Sequence, residues 1–310
     1  MSWNWDAPSG VFKDHFLSAK IREAAVADSH FMRFLTPERG YGKGKGGTVN
    51  ITRFGNLPLA TTVTEQDRLP DGKPPITMQT LDVDEWGFKV KMTELEENLT
   101  HFNLRNPTQR ALRDQMRLTM DKMAADAMKA TVIKATSTSA GVTTFATTGT
   151  AAEETTVNLD TGHLGDIYDY LRGTQKSPAF KNGRYIGIVS TKAARGLKED
   201  STFREWFSRT GDKKTHVTGL LSNVEGFDLF ETNHFDALDN TIGASNTATG
   251  EAVFFGEDAA FLAVVDEPEL RMGAPEDLGR FRDIGWVGTI QAGLVWDSIA
   301  QSRVVHWTST

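Results

Sequence analysis

Apolar and polar residues alternate along this chain with a period that changes several times, and each change marks an element. The most apolar stretch is the last, RFRDIGWVGTIQAGLVWDSIAQSRVVHW at 280–307. There Ile284, Trp286, Ile290, Leu294 and Trp296 share one face of a period-two pattern, and Val304 and Val305 begin a return strand. Period two also governs EWGFKVKMT at 85–93, with Trp86, Phe88, Val90 and Met92 on one side and Lys89 and Lys91 on the other. TVNITRF (48–54) reads as a strand, and LATTVTE and ITMQTLDV are extended runs joined through QDRLPDGKPP, whose Pro-Asp-Gly turn makes a long hairpin.

After Asn106 and Pro107 the period becomes helical. Leu112, Met116, Met120, Met123 and Ala127 fall on one stripe, with Asn106 as cap, Pro107 at the first position and Gln109 placed to close a capping box. The pattern predicts a helix over 107–135, about 43 Å long, with the methionines packed as core. Residues 15–34 place Phe16, Ile21, Ala24 and Ala25 at helical spacing, a short amphipathic helix in an N-terminal arm. ATSTSAGVTTFATTGTAAEETTVN (135–158) reads as a surface loop or short hairpin. Residues 158–262 alternate helix (LGDIYDYLRG), buried strand (RYIGIVS), one or two helices (TKAARGLKEDSTFREWF) and strand–turn–strand, closing on EAVFFGEDAAFLAVV. The class is therefore α+β, with a mixed layer in the second half.

Composition narrows the function classes. The 310 residues suffice for one large domain or two moderate ones. Cysteine is absent, which removes disulfides and thiolate metal sites. A formal charge of −7 argues against coating nucleic acid as the main task. No segment approaches the ~18 apolar residues that span a bilayer, and MSWNWDAPSG has neither a basic leader nor an apolar run, so folding in the cytosol is expected.

Chemistry-bearing motifs are sparse. The seven histidines show no metal spacing. Gly42, Gly44 and Gly47 satisfy G-x-G-x-x-G, but the predicted helix precedes and the strand follows, the reverse of what a dinucleotide site requires. With five glycines between Gly40 and Gly47, the segment reads instead as a hinge made by Gly42, Gly44, Gly46 and Gly47. Nucleophile elbow, phosphate loop and calcium loop are absent. His163, near Asp160 and Asp166, could make a catalytic dyad, although a cap residue is the blander reading of a histidine at a helix start. No catalytic, cofactor or metal residue is assigned.

The ordered set of hairpin with its GKPP exit, VDEWGFKVKMTELEEN leading into the long helix, RYIGIVSTKAARGLKEDSTFREW, and PEDLGRFRDIGWVGTIQAGLVWDSIAQSRVV resembles the major capsid proteins of tailed bacteriophages, which have the Hong Kong 97 fold. The likeness covers roughly 45–308 and is closest to the branch named after coliphage N4. It implies an N-terminal arm and hinge at 1–47, an extension loop with adjoining strands at 48–93, a peripheral domain with its spine helix at 94–157, an axial domain at 158–262, and a return to the peripheral domain at 263–310. It further implies a virion subunit assembled in the bacterial cytoplasm into pentamers and hexamers around double-stranded DNA, touched non-specifically. A separate scaffolding protein, a portal and a decoration protein are the implied partners, with no membrane.

On this reading the extension-loop tip, Glu65, Asp67, Arg68, Asp71 and Lys73, grips a neighbouring copy. Core closure is expected where Met116, Met120 and Met123 meet Trp286, Ile290, Leu294 and Trp296. Two alternatives stay open: an encapsulin-like compartment shell, which cargo peptide in place of DNA would reveal, and a tail or fibre subunit, against which the long helix weighs.

Overall fold

The computed structural model describes residues 25–39, 47–65, 68–95, 105–210, 223–246 and 249–310. Three sheets are built around one long helix, and the chain crosses between layers more than once. The first strands are β1 (Thr36–Arg39), β2 (Thr48–Phe54), β3 (Ile76–Asp82) and β4 (Asp84–Thr93). Helix α1 (Arg105–Lys129) follows, then the hairpin β5 (Lys134–Ser139) and β6 (Val142–Ala146). The second half contains α2 (Thr161–Asp169) with a π-turn at Tyr170–Thr174, β7 (Tyr185–Ser190), α3 (Thr191–Glu199), α4 (Ser201–Thr210), β8 (Asn223–Val224), β9 (Phe227–Thr232) and β10 (Ala252–Phe255). Two long strands, β11 (Ala260–Met272) and β12 (Phe281–Leu294), and the short β13 (Val304–Trp307) complete the chain.

A four-stranded sheet has the order β1-β11-β12-β4, a seven-stranded sheet the order β6-β5-β13-β10-β7-β9-β8, and β2-β3 stand as a separate two-stranded arm. The seven-stranded sheet is mixed, because β7 pairs parallel to β9 but antiparallel to β10. Gly187 lies where that sheet is tightest: a Cβ there would come within 2.6–2.8 Å of Leu229 and Phe254, so only glycine lets those side chains close over β7. The two-residue turn Glu225-Gly226 joins β8 to β9 with both residues at positive φ, 44° and 77°, as a type I′ turn requires.

The helix differs from its predicted extent at both ends. It already includes Arg105, so Asn106 and Pro107 lie in its first turn, where the missing proline N–H costs nothing. It stops at Lys129, and the β-branched run Thr131-Val132-Ile133 leads into β5. Its 25 residues span about 37 Å. Thr131 Oγ1 donates to Val304 O at 2.8 Å, tying the helix exit to the last strand.

Two further differences concern the predicted connector and the chain end. Ala135, Thr136 and Ser137 are buried, so the stretch read as surface loop or hairpin is a hairpin whose first strand is core. β13, the return strand begun by Val304 and Val305, does not lie beside β12 but is inserted between β5 and β10 of the seven-stranded sheet. All four of its residues are buried, and a strand covered on both faces carries no alternation to say which sheet receives it. The amphipathic helix read at 15–34 falls mostly outside the described residues; from Ala25 the chain is irregular, with a 3₁₀ turn at Met32–Phe34.

Candidate interaction surface

The arm is the most exposed part of the described chain. β2 and β3 pair from Thr48↔Asp82 to Phe54↔Ile76, Gly55 N–H bonds Pro75 O at 2.8 Å, and beyond that rung the chain runs without regular structure. Glu65, Arg68, Asp71 and Lys73 are exposed, and among the described residues none of them has an ion-pair partner. Asp67 lies outside the described residues, as do Gly42, Gly44 and Gly46; Gly47, at the start of the arm, is exposed with open space around it.

What the sequence reading missed is the apolar content of this arm. Phe54, Leu57, Leu69, Ile76 and Met78 are exposed, and Leu59 retains 94 % of its surface. A lone exposed leucine is ordinary, but a group of six on one protruding segment marks a surface awaiting a partner. The signal was present in the sequence, since NLPLATTV and RLPDGKPPITM mix leucines with turn residues. Burial could not be read from it, because irregular backbone has no period.

Among the described residues the arm is anchored at its base. Val49 is buried beneath it with Phe261, Ala263 and Val295, flanked by Ile51, Leu81, Val83 and Trp296. Arg53 Nη1 bonds Asp297 Oδ1 at 2.6 Å, and the guanidinium groups of Arg53 and Arg303 each lie 5.6 Å from the Trp296 ring centre. This corrects the assignment of Trp296 to the methionine face. β12 ends at Leu294, and past a strand end the alternation no longer fixes which way a side chain points.

The other residues expected to close the core do meet, in two clusters. Met116 packs with Ile284, Trp286, Leu112 and Met92, while Met120 and Met123 pack with Ile290 and Leu294. Trp286 Nε1 donates to Gln115 Oε1 at 2.7 Å, so the indole is buried without losing its hydrogen bond. Of the β4 face, Trp86, Val90 and Met92 join this core, but Phe88 is exposed.

Two buried polar groups were only partly legible in the sequence: of the first it showed the His163–Asp160 pair and its capping role but not Ser137, and of the second nothing. The first has the connectivity of a catalytic triad: His163 Nε2 lies 3.0 Å from Ser137 Oγ, and His163 Nδ1 lies 3.0 Å from Asp160 Oδ1. Its surroundings give it another role. Ser137 and His163 have no exposed surface, and Ser137 Oγ sits 2.6 Å from Val142 O and 2.8 Å from Ser139 O, so no substrate carbonyl reaches it. Asp160 caps α2 in a reciprocal box with His163 and accepts Gly141 N–H at 2.8 Å, which pins the β5–β6 hairpin onto the helix start. Burial pushes the Asp160 carboxyl up, but the His163 and Gly141 hydrogen bonds outweigh it and hold it below the usual range.

The second group joins the end of α1 to the seven-stranded sheet. Glu251 Oε1 lies 3.3 Å from His306 Nε2, its Oε2 accepts Asp239 N–H at 2.8 Å and faces Lys129 Nζ at 3.4 Å, and Lys134 Nζ lies 3.1 Å from His306 Nδ1. Burial raises the Glu251 carboxyl, but His306, Lys129 and the Asp239 amide bring it down to about 2; burial lowers Lys134 to about 8. Among the described residues no cluster of three or more His, Asp or Glu could hold a metal, and no helix is long and apolar enough to cross a membrane.

The fold has counterparts among solved structures. The capsid asymmetric unit of cyanophage Pam1 superposes with a TM-score of 0.75 at 15% identity, covering 98% of each chain. This is a bacteriophage capsid fold. The acidic stable capsid structure of Helicobacter pylori bacteriophage KHP30 matches with a TM-score of 0.71 at 14% identity over 99% of each chain. Mycobacterium phage Che8 matches with a TM-score of 0.63 at 18% identity over 96% of this chain and 97% of that one. The Hong Kong 97-type α+β fold expected from the sequence is therefore the fold observed. No protein-family model and no curated protein matches the chain.

Proposed function

We propose that this chain is a major capsid protein, a structural and non-enzymatic subunit that self-assembles as pentamers and hexamers into the icosahedral head of a tailed bacteriophage enclosing double-stranded DNA. The single observation that carries the reading is end-to-end agreement of its fold with phage capsid structures, reaching 98% of each chain, combined with an arm that leaves Leu59 and Leu69 bare. Membership of the coliphage N4 branch and the domain limits 1–47, 48–93, 94–157, 158–262 and 263–310 belong to the same proposal.

The arm lies over a neighbouring copy. Its apolar residues supply the affinity, at about 25 cal/mol for each Å² of apolar surface covered, while Glu65, Asp67, Arg68, Asp71 and Lys73 set register. Exposed ion pairs are worth only ~0–1 kcal/mol each, so misplaced contacts dissociate before closed symmetry sums the correct ones. The glycines Gly42, Gly44, Gly46 and Gly47 let one sequence fit both ring sizes. A scaffolding protein, a portal, a decoration protein and non-specific contact with DNA at the inner face complete the partner set, with assembly in the bacterial cytoplasm.

Negative-stain imaging of the concentrated, purified chain tests this directly. Icosahedral particles, tubes or polyheads are the expected result. A monodisperse monomer at all concentrations, with and without a co-expressed scaffold, overturns it. Co-purification of cargo peptide in place of DNA would turn the reading to a compartment shell.

A further inference from the structure

A carboxylate is buried in the middle of the long helix. Asp121 has no exposed surface, although aspartate is almost never fully buried without partners. Its Oδ1 accepts two backbone N–H groups from the segment that precedes β1, Phe31 at 2.8 Å and Met32 at 3.2 Å. Among the described residues its Oδ2 has no hydrogen-bond partner, and 3.7 Å away stands His234 Nδ1, which is buried and has none among them either. Two buried polar atoms left facing each other just beyond hydrogen-bond length form a contact waiting for a proton.

The segment held by Asp121 is a strap. Asp28 N–H bonds Asn233 Oδ1 at 2.7 Å, Thr232 Oγ1 bonds Asp28 O at 3.2 Å, and Arg117 donates to Ala27 O at 3.2 Å. Phe31 and Leu35 enter the core beside Met123, and Arg33 stacks over Phe34 and Phe230 at 4.6 and 4.1 Å. The strap runs directly into β1, which pairs with β11, and the chain then leads to the arm. The His234 ring meanwhile lines a cavity of about 870 Å³ between residues 25–27, the first half of α1 and residues 233–236, an open route for solvent protons.

We infer that Asp121 and His234 are a proton-operated latch on this strap: protonation of His234 closes the open contact to Asp121 Oδ2 and holds the strap more tightly to the helix. The neutral imidazole accepts a proton from solvent at Nδ1 or Nε2, and the resulting imidazolium donates Nδ1–H to the carboxylate, with no other bond made or broken. The charged groups around the contact are Asp121 and Asp114 on α1, Asp28 on the strap and Asp236 beside His234, all acidic, and Arg33, Arg110 and Lys122, all basic. The Asp121 carboxylate stands 3.7 Å from the ring nitrogen. His30 sits in the same neighbourhood with Nδ1 unpartnered among the described residues, and burial first and Arg33 second lower its pKa.

Backbone hydrogen exchange of the full chain reads the latch on peptides spanning 28–35. After correction for intrinsic rates, opening of the strap should be about tenfold rarer near pH 5.5 than near pH 8, the effect of one charge-assisted hydrogen bond. His234→Gln should abolish that pH dependence, and His30→Gln should keep it. Asp121→Asn retains an oxygen for the Phe31 and Met32 amides but removes the charge; it should abolish the dependence too and provides a second route if the glutamine variant fails to fold. Strap opening that ignores pH in the unmodified chain, or a dependence that survives in His234→Gln or Asp121→Asn, overturns the latch.

Discussion

The arm and the helix–tail seam are both rich in large apolar residues, yet they put them to opposite uses. In the seam, Trp286, Ile290 and Leu294 are buried against a helix more than 160 positions away in sequence, and Met116, Met120 and Met123 receive them. In the arm, Leu59 and Leu69 are almost bare and Leu57 is half-exposed, whereas the base around Val49 and Arg53 is packed. The same residue types therefore stabilise the fold in one place and remain exposed in the other. What separates them is whether the backbone has a period that lines apolar positions up against a facing element.

Breaking the seam should have the largest effect. Truncation after Gly293 removes Leu294 and the whole of β13, a central strand of the seven-stranded sheet, and should leave no soluble folded monomer by circular dichroism. A folded truncated monomer would show that the two sheets stand without the chain end. A single cut into the same seam, Trp286→Ala, should cost about 3–5 kcal/mol in urea titration, because the indole is 3 % exposed and its loss also strips Gln115 of a partner.

The buried charges sharpen the same contrast by pH. Glu251 has a folded pKa of about 2 against an ordinary 4.5, so its contribution is fully present above about 4.5 and is lost as pH falls through about 2. The loss should be on the order of 3 kcal/mol, and Glu251→Gln should flatten that limb of the acid unfolding curve. Lys134 carries the opposite sign, because burying its charge costs stability below about 8, and stability should rise as pH climbs from there toward 10.5.

The smallest effect on stability is expected where the effect on assembly is greatest. Replacing residues 56–74 with a short Gly-Ser turn should change the unfolding free energy by no more than ~0.5 kcal/mol and abolish particles in electron micrographs. Within the arm, Leu59→Ser with Leu69→Ser should raise the concentration needed for assembly more than Glu65→Ala with Arg68→Ala does. Light scattering at several salt concentrations ranks the two, and a larger effect from the charge pair would return the grip to electrostatics.

Much of this was legible before any coordinates. The period-two run at 281–294, the methionine stripe of α1 and the fully apolar β7 each reported a local backbone geometry against a buried face, and each stands in the structure as an element of that type. The errors fell where periodicity stops. The helix end was misplaced because Thr131 and Ile133 continue an apolar pattern that helix and strand share. Trp296 was misassigned because it sits two residues beyond the end of its strand. The His163–Asp160 cap was legible from its three-residue spacing at a helix start, but Ser137 and Asp121 were not, since their partners lie far away in sequence or are backbone atoms, and a lone acid within a helix reads as a solvated one.

The sequence by itself determined the kinds of elements and their order, because hydrophobic period and capping act over a few residues and leave their imprint there. Only the tertiary structure decided where the last strand inserts, which apolar residues remain uncovered on the arm, and which carboxylate is sealed against a strap from the other end of the chain. Those outcomes depend on surfaces brought together across more than a hundred residues, and no local pattern records which of several suitable faces will be the one covered.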